Sequence, residues 1–489
     1  MTDIAERDSE GLEPSGDTSG PLRRRLAFPI VAALVALIGI IEWHRLPSAP
    51  LDSLNYDGFR YLAGSWSLLD HGRYIDIGGD PQRTWAPGTS LLYAVLARVT
   101  GKRPEQLVTF VGLMSYLAIL FALAATMRTT IRRWPLAAIG LAAIALNSGI
   151  VSLTNKFLSE PAALAFLSWA LLMAIDAIDK RSERRMVVAA FLFSLAIFFR
   201  FALIAAVPLA LAAAFFASGR LRTLALALLT PLPMMIALRV LAPGAHTATP
   251  FRITPLPFAE DWKGLAELAS QIVPTRMGWI GVVLFVILIV IVAGAAIRSA
   301  GWVGAERGRR EIALLLHSGW IILYTVFLLV AQWIWVSPAP VIDLRMLLPL
   351  YPSIVIVLVT GADRLMDRGP RSLAALGVIA VSIATARALH PFFDHRPQPA
   401  PACISRYDAV LSIERLRPAI LGDDVVTNAQ GLAWYALRRP VGRIRDAKTG
   451  SLVIFVDGSK TCPYTVETIE VPRGGNIIAR DGAVVIMRQ

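Results

Sequence analysis

The sequence contains very little cysteine and little charge for its length. Only two of its 489 residues are cysteines, Cys403 and Cys462, and only 17% are charged. Two cysteines are too few for a disulfide-rich secreted protein, and no cysteine or histidine spacing matches a Zn²⁺ site. The two cysteines could form one disulfide in an oxidising compartment, or they are two unrelated buried thiols.

The low charge content accompanies 55% hydrophobic residues and a mean hydropathy of +0.58, which is too apolar for a soluble protein of this size. The net charge of +13 would suit a nucleic-acid-binding protein, but the Lys and Arg residues lie in short clusters between apolar stretches. Such clusters orient membrane proteins and lie near anionic lipid headgroups. The sequence therefore predicts a protein that contacts membrane lipids and no nucleic acid.

Apolar stretches recur from residue 26 to residue 390 and predict helices that span the membrane. The predicted spans are 26–41, 105–127, 135–153, 157–178, 186–200, 202–218, 222–242, 277–297, 311–336, 346–362 and 372–389. Basic clusters fall in the gaps at 128–133, 180–185, 220–222, 298–310 and 364–371. If all five gaps face the cytoplasm, the chain crosses eleven times and ends outside; the pattern allows about 11 to 13 transmembrane helices.

The apolar stretch Leu91–Val99 is too short to span the membrane. Counting it as a span would move the basic cluster at 128–133 to the outside, against the tendency of basic loops to remain in the cytoplasm. The stretch therefore lies in the interface, dips into the membrane and returns, or continues into the next span.

The fold class predicted is a polytopic α-helical membrane protein with a small external α/β domain. Residues 1–25 are a predicted disordered cytoplasmic tail, because they are polar and lack apolar periodicity. Residues 26–390 form the predicted membrane domain, with an external loop at 47–88. Residues 391–489 form the predicted α/β domain, with strands at Val425–Asn428, Leu452–Val456, Val466–Val471 and Ala483–Met487.

Polar and aromatic residues collect in the gaps on the predicted outer face. The candidate site residues are Asp57, Tyr61 and Trp85 in the first loop, then Lys156, Glu160, Arg200 and Arg345 at the ends of later spans. An ionisable group at the edge of the bilayer is costly to desolvate and usually has a partner or a task. A carboxylate can take a proton from a hydroxyl, and guanidiniums can bind a phosphate, so the set suits group transfer from an anionic lipid headgroup.

Each candidate also has a purely structural interpretation. Asp57 could cap a helix, Glu160 with Pro161 could begin one, Arg200 could extend to the interface, Arg345 could pair with Asp343, and Tyr61 and Trp85 could belong to the aromatic belt. The functional interpretation depends on these residues lying together.

Several segments also carry a family resemblance, in chain order. They are Tyr56-Asp57-Gly58-Phe59-Arg60-Tyr61, Trp85-Ala86-Pro87-Gly88, Leu158-Ser159-Glu160-Pro161, Phe198-Phe199-Arg200-Phe201, Asp343-Leu344-Arg345-Met346 and Ala433-Trp434-Tyr435. This order resembles the membrane glycosyltransferases of the GT-C fold. The group uses polyprenyl-phosphate-linked sugars and includes protein-mannosyltransferase-like and aminoarabinose-transferase-like enzymes.

The resemblance implies that Asp57 is the catalytic carboxylate, with Glu160 orienting it or the acceptor. It also implies that Arg200, with Lys156 or Arg345, binds the lipid phosphate. Many GT-C enzymes have two adjacent acidic residues in the first loop, whereas Gly58 follows Asp57 here. No metal site is therefore predicted, and a divalent cation is the one cofactor left open.

The predicted function is inverting transfer of a sugar from a polyprenyl-phosphate donor to a saccharide, lipid or protein acceptor. The predicted location is a bacterial cytoplasmic membrane, with the N-terminus inside and the site outside. A transporter or flippase for a lipid-linked sugar is the alternative, although such proteins often contain repeated halves and this sequence shows no repeat. A scaffold protein is a third possibility, and it predicts that Asp57, Glu160 and Arg200 lie far apart.

Overall fold

Helices make up most of the structure, a computed structural model that describes residues 19–45, 54, 56–82, 85–243, 265–270, 279–299, 308–334, 344–393, 406–420, 424–443, 448, 451–457, 476–481 and 483–488. The first helices are α1 (Ser19–Arg45), α2 (Tyr56–His71), α3 (Gly88–Thr100), α4 (Val108–Thr130), α5 (Trp134–Ala145), α6 (Ser148–Thr154), α7 (Glu160–Asp179), α8 (Glu183–Phe199), α9 (Val207–Ala217), α10 (Leu221–Leu228) and α11 (Leu232–Leu241). The later helices are α12 (Trp279–Ser299), α13 (Arg309–Ile334), α14 (Leu344–Leu347), α15 (Tyr351–Arg368), α16 (Arg371–Phe393), α17 (Arg406–Arg415) and α18 (Gln430–Leu437). Short 3₁₀ turns occur at Pro104–Leu107, Phe201–Ala206, Leu348–Leu350 and Arg417–Ala419.

Many of these helices are membrane-spanning by length and composition. Within the described ranges, the helical segments long and apolar enough to cross a bilayer are Pro104–Thr130, Glu160–Asp179, Arg309–Ala331, Leu344–Asp367 and Arg371–Leu389. Two bent pairs, α5 with α6 and α10 with α11, would each add one span. The protein is therefore a multi-pass helical membrane protein, as predicted.

The predicted number of eleven to thirteen spans is not confirmed, although a helix covers most of each predicted span. The described helices that meet the length and hydropathy of a span number five, or seven with the bent pairs. The predicted span 135–153 is broken by 53°, because Asn147 accepts a hydrogen bond from the backbone N–H of Ile150 at 3.1 Å and so caps a new helix. The helix α8 has only 17 residues, and a 3₁₀ turn separates it from α9.

The short apolar stretch Leu91–Val99 lies in α3, which packs against α2. At 1.5 Å per residue its 13 residues extend about 20 Å, less than the roughly 30 Å of the hydrocarbon core. Gly101 ends α3 in the left-handed conformation, with φ of 69°, and donates to the carbonyl oxygen of Ala97. The stretch is therefore not a span and does not continue into α4.

Ion pairs connect the five basic gaps at one end of the helical bundle. They include Arg133–Asp363 at 3.0 Å, Arg310–Asp363 at 3.3 Å, Arg309–Asp176 and Arg220–Glu183 at 2.5 Å. Each of these residues lies in or beside a basic gap, and the pairs link every gap to another. The gaps therefore lie at the same end of the bundle, while the assignment of that end to the cytoplasm stays a prediction.

A small mixed sheet forms near the C-terminus. Its strands are β1 (Val425–Thr427), β2 (Gly442–Arg443), β3 (Leu452–Val456), β4 (Asn476–Asp481) and β5 (Val484–Arg488), in the order β2-β1-β3-β5-β4. The strand β1 runs parallel to β2 and β3, whereas β5 runs antiparallel to β3 and β4. The strands expected near 425–428, 452–456 and 483–487 are present. The prediction of a disordered tail over residues 1–25 is wrong for residues 19–25, which belong to α1. Residues 1–18, the strand expected at 466–471 and both cysteines lie outside the described residues, and the other domain boundaries stay predictions.

One hydrophobic core joins the first loop to this sheet. Phe59 of α2 packs in the same buried cluster as Leu432 of α18 and Ile454 of β3. The backbone N–H of Val441 also donates to the carbonyl oxygen of Ile77, at 3.1 Å. The first loop and the sheet therefore lie on the same side of the membrane.

Cysteine labelling tests this arrangement. In a variant in which Ser replaces Cys403 and Cys462, the exposed positions of His71→Cys and Arg480→Cys should react with a membrane-impermeant maleimide from the same side of sealed vesicles, because one core holds both segments. Arg181→Cys, beyond the far end of α7, should react only from the opposite side. Labelling of positions 71 and 480 from different sides would contradict the shared core.

Candidate active site

Two carboxylates and two guanidiniums from distant parts of the chain meet beside the start of α2. Asp57 lies in the first turn of α2, and Glu160 is the first residue of α7. Arg200 directly follows α8, and Arg345 lies in α14. These four side chains are called the ionic cluster below, and the sequence pattern singles out all four.

Arg345 bridges the two carboxylates of the ionic cluster. Its Nη1 donates to Oδ2 of Asp57, and its Nε lies 3.5 Å from Oε1 of Glu160. Arg200 Nη1 lies 2.6 Å from the same oxygen of Glu160. The hydroxyl of Ser159 donates to the other oxygen, Oε2, at 3.1 Å. Glu160 is thus the shared partner of both guanidiniums.

Local sequence explains why two of these residues lie at helix ends. Proline is favoured in the first turn of a helix, so Pro161 lets α7 begin at Glu160, where the helix dipole favours a carboxylate. Arg200 is extended, with φ of −141° and ψ of 113°, between α8 and the 3₁₀ turn Phe201–Ala206. This break places Arg200 between the regions of the predicted spans 186–200 and 202–218.

The two carboxylates of the ionic cluster are buried, its two guanidiniums are partly buried, and its charges balance. Asp57 is 7% exposed and Glu160 is 1% exposed, and the side chains of Arg200 and Arg345 are 12% and 25% exposed. With both carboxylates ionised, the four charges sum to zero. Because a buried charge without a partner is strongly destabilising, each member holds the others in place.

The environment changes the proton affinity of Asp57. Burial raises the pKa of Asp57 above its ordinary value, while the guanidinium of Arg345 acts in the opposite direction. The negative charge of Glu160 raises the pKa of Asp57 further. A carboxylate with a raised pKa is a better proton acceptor near neutral pH than an exposed one.

Tyr61 and Trp85 lie next to each other beside the ionic cluster, with ring centroids 5.7 Å apart. Tyr61 is buried and hydrogen-bonds through its hydroxyl to Ser159. Burial raises the pKa of Tyr61 well above its usual range, so the hydroxyl remains protonated. Trp85 Nε1 is buried and has no hydrogen-bond partner within the described part of the chain.

The remaining candidate, Lys156, is half-buried in the turn that precedes α7. The ion pairs of the cluster run through Arg200 and Arg345, and binding of phosphate by Lys156 stays a prediction. Asp343, the alternative partner of Arg345, lies outside the described residues.

One neighbour of the cluster carries no signal in the sequence. Tyr324 lies in the middle of the apolar helix α13, yet its hydroxyl hydrogen-bonds to Arg200 and donates to the carbonyl oxygen of Met346 at 3.0 Å. An isolated tyrosine in an apolar stretch is common, so only the fold shows this contact. Tyr324 thus helps to fix both Arg200 and the segment that carries Arg345.

Both carboxylates of the cluster are paired with guanidiniums. Within the described residues there is no group of three or more His, Cys, Asp or Glu side chains that could hold an ion. Asp57 and Glu160 are the two carboxylates of the cluster, and guanidiniums contact both.

Comparison with known proteins relates this geometry to a fold. No protein-family model and no curated protein sequence matches the chain. Among solved structures, ArnT from Cupriavidus metallidurans, bound to undecaprenyl phosphate, matches 96% of this chain and 98% of its own length, with a TM-score of 0.52 and 13% identity. ArnT is a GT-C fold protein. The chain has a GT-C fold.

Two further solved structures match with lower TM-scores. The arabinofuranosyltransferase AftD from Mycobacteria has a TM-score of 0.49 and 16% identity over 95% of this chain and 40% of AftD. The oligosaccharyltransferase from Archaeoglobus fulgidus has a TM-score of 0.46 and 11% identity over 87% of this chain and 68% of that one. The GT-C assignment depends on the first match.

A double-mutant cycle tests the coupling within the cluster. Arg200→Met and Glu160→Gln should each lower the free energy of unfolding by about 3–5 kcal/mol, because each removes an ion-pair partner of a charge that is buried or largely buried. The double variant should lose clearly less than the sum of the two, measured by chemical denaturation in detergent micelles. The exposed pair Arg220–Glu183 is the matched control and should couple by about 1 kcal/mol or less. Strict additivity at Arg200 and Glu160 would refute the coupling.

Proposed function

We propose that the protein is a membrane glycosyltransferase that moves a sugar from a polyprenyl-phosphate donor to a hydroxyl of an acceptor on the external face of the membrane. The observation that carries this proposal is the buried ionic cluster of Asp57, Glu160, Arg200 and Arg345 within a GT-C fold. The undecaprenyl phosphate bound to ArnT supports a polyprenyl phosphate as the lipid carrier.

In the proposed reaction the acceptor oxygen attacks the anomeric carbon of the sugar directly. The bond from that carbon to the phosphate oxygen breaks as the new glycosidic bond forms, so the configuration at the carbon is inverted. Asp57 takes the proton of the acceptor hydroxyl. The phosphate keeps the electron pair of the broken bond and leaves as the polyprenyl phosphate.

The charges of the cluster fit this reaction. A phosphodiester donor carries one negative charge, and the leaving phosphate monoester carries two when fully ionised. During transfer Asp57 becomes neutral, so one negative charge passes from the carboxylate to the phosphate and the total is unchanged. Because Arg345 already contacts Asp57 and Glu160, its guanidinium can stabilise the charge at both stages.

The other candidate residues have supporting roles in this proposal. Arg200 binds the leaving phosphate together with Arg345 or Lys156, because a phosphate of low pKa needs positive charge rather than a proton. Glu160 fixes both guanidiniums and so orients Asp57 indirectly. Tyr61 and Trp85 provide an aromatic wall beside the cluster. The reaction as proposed needs no metal ion.

The alternative functions fit the structure less well. A scaffold protein predicts that Asp57, Glu160 and Arg200 lie far apart, whereas ion pairs join them through Arg345. A transporter for a lipid-linked sugar would need polar groups that continue across the membrane, but the described ion pairs between membrane helices concentrate at the two ends of the bundle. The buried cluster therefore supports a catalytic function better than it supports a transport function.

An activity assay tests the base. With labelled polyprenyl-phosphate sugars and candidate acceptors, Asp57→Asn should lower kcat of the purified protein by about 10²–10⁴-fold, because the amide cannot accept the proton. Asp80→Asn is the matched control, since Asp80 is an exposed aspartate of the same loop, and it should keep full activity. Full transfer activity in Asp57→Asn would remove the assignment of Asp57.

The pH profile of kcat/KM should respond oppositely to the two neighbours of Asp57. A base works only when deprotonated, so activity is lost as the pH falls through the pKa of Asp57, which lies above the ordinary aspartate value. Arg345→Gln removes a charge that lowers this pKa, so the acidic limb should move up by about one pH unit. Glu160→Gln removes a charge that raises it, so the limb should move down. Shifts of both variants in the same direction would contradict the proposed network.

A further inference from the structure

A cavity lined by both charged and aromatic residues lies between the end of α2 and the end of α18. Its volume is about 380 Å³, within the range of pockets that bind small ligands. Trp66 and Asp70 of α2 line one wall, and Trp434, Arg438 and Arg439 line the opposite wall. The walls are tied together, because Val441 and Ile77 share a backbone hydrogen bond in the adjoining segments.

This cavity is separate from the ionic cluster. Asp57 lies in the first turn of α2, whereas Asp70 lies in the last turn, about 20 Å away along the helix axis. None of the four cluster residues is among the described residues that line the cavity. The cavity therefore has its own chemistry, on the same face of the protein as Asp57.

Arg438 makes several contacts at the edge of the cavity. Its guanidinium lies 4.2 Å from the ring centroid of Tyr435 and 5.2 Å from that of Trp66. It also donates to Glu105 at 3.2 Å, and Trp66 Nε1 donates to the other carboxylate oxygen at the same distance. Arg438 caps α18 with φ of 56°, a conformation that non-glycine residues seldom adopt. Such local strain often accompanies a binding function.

Two other arginines of the cavity have unused binding capacity. Within the described part of the chain, neither Arg103 nor Arg439 forms an ion pair, and Nη2 of Arg439 is buried without a hydrogen-bond partner. One acidic side chain of the cavity, Asp76, is already neutralised by Arg60. The other acidic side chain of the cavity, the exposed Asp70, can offset part of the positive charge of these arginines. The cavity thus offers guanidinium donors to an anion, a carboxylate to hydroxyl groups and indole rings to an apolar face.

We propose that this cavity binds an anionic sugar unit, one that carries a phosphate or a carboxylate. Guanidiniums bind such anions with short charge-assisted hydrogen bonds, and Trp66 and Trp434 provide apolar surface for the ring of the sugar. Resting on the proposed function, the sugar unit belongs to the acceptor glycan, and the cavity holds it away from the hydroxyl that reacts beside Asp57.

Direct binding tests the cavity without any transfer reaction. Glucose 6-phosphate, glucuronic acid, glucose and inorganic phosphate are titrated into the purified full-length protein in nanodiscs, and calorimetry gives the Kd. The two anionic sugars should bind more tightly than either glucose or phosphate. Arg439→Gln should raise their Kd by about tenfold, because one charge-assisted hydrogen bond is lost.

Matched variants separate the cavity from other anion sites. Arg480→Gln changes the same charge on an exposed strand outside the cavity and should leave the Kd unchanged. Trp66→Leu should weaken the anionic sugars but not inorganic phosphate. Equal effects of Arg439→Gln and Arg480→Gln would overturn the proposal. It would also be overturned if Arg345→Gln abolished binding while Arg439→Gln did not, or if phosphate bound as tightly as its sugar ester.

The binding test also distinguishes failure of this proposal from failure of the proposed function. Asp57→Asn should bind the anionic sugars as the wild type does, since Asp57 does not line the cavity. If the protein transfers sugar but shows no binding of anionic sugars that depends on Arg439, only the proposal for the cavity is overturned. If binding depends on Arg439 but the protein transfers no sugar, the proposal for the cavity stands and the proposed glycosyltransferase activity is overturned.

Discussion

The bridge that Arg345 forms between Asp57 and Glu160 is the interaction on which the site depends. Arg345 lies 288 positions from Asp57 in the chain, and Glu160 extends the connection to Arg200. Because both carboxylates are buried and the four charges balance, displacement of any one segment would deprive a poorly solvated charge of a partner. The first loop, the start of α7, the end of α8 and the short helix α14 are therefore held in one relative position.

Charge is concentrated at the two ends of the helical bundle, but its role differs between them. At the basic end, Asp363 is fully buried and contacts Arg133 and Arg310, so several helix ends are fastened together. At the other end the ionic cluster contains an aspartate of raised pKa beside an aromatic wall. Both ends contain ion pairs. The end with the ionic cluster is the better candidate for an active site, because a carboxylate there can accept a proton beside guanidiniums that suit a phosphate.

Local patterns in the sequence predict part of this structure well. Ser159-Glu160-Pro161 marks the start of α7, and the strand at 452–456 has the predicted bounds, because capping and strand propensity act over a few residues. The ion pair of Arg200 with Glu160 and the contact of Tyr324 depend on helix packing, which neighbouring residues do not encode. The hydrophobic pattern also predicts the length of an apolar segment but not whether its helix bends. The break at Asn147, within one apolar stretch, is therefore seen only in the fold.

The core shared by the first loop and the sheet limits how the chain can thread the bilayer. Both segments lie on one side, so the chain between residues 100 and 406 must pass through the membrane an even number of times. Among the described residues of that interval, the segments of adequate length number five, or seven with the bent pairs, and both totals are odd. An even total needs at least one further passage, and α8, α9 and α12 are described apolar helices of that interval that this total leaves out. All three together would give ten, the total that the apolar stretches of this interval predict.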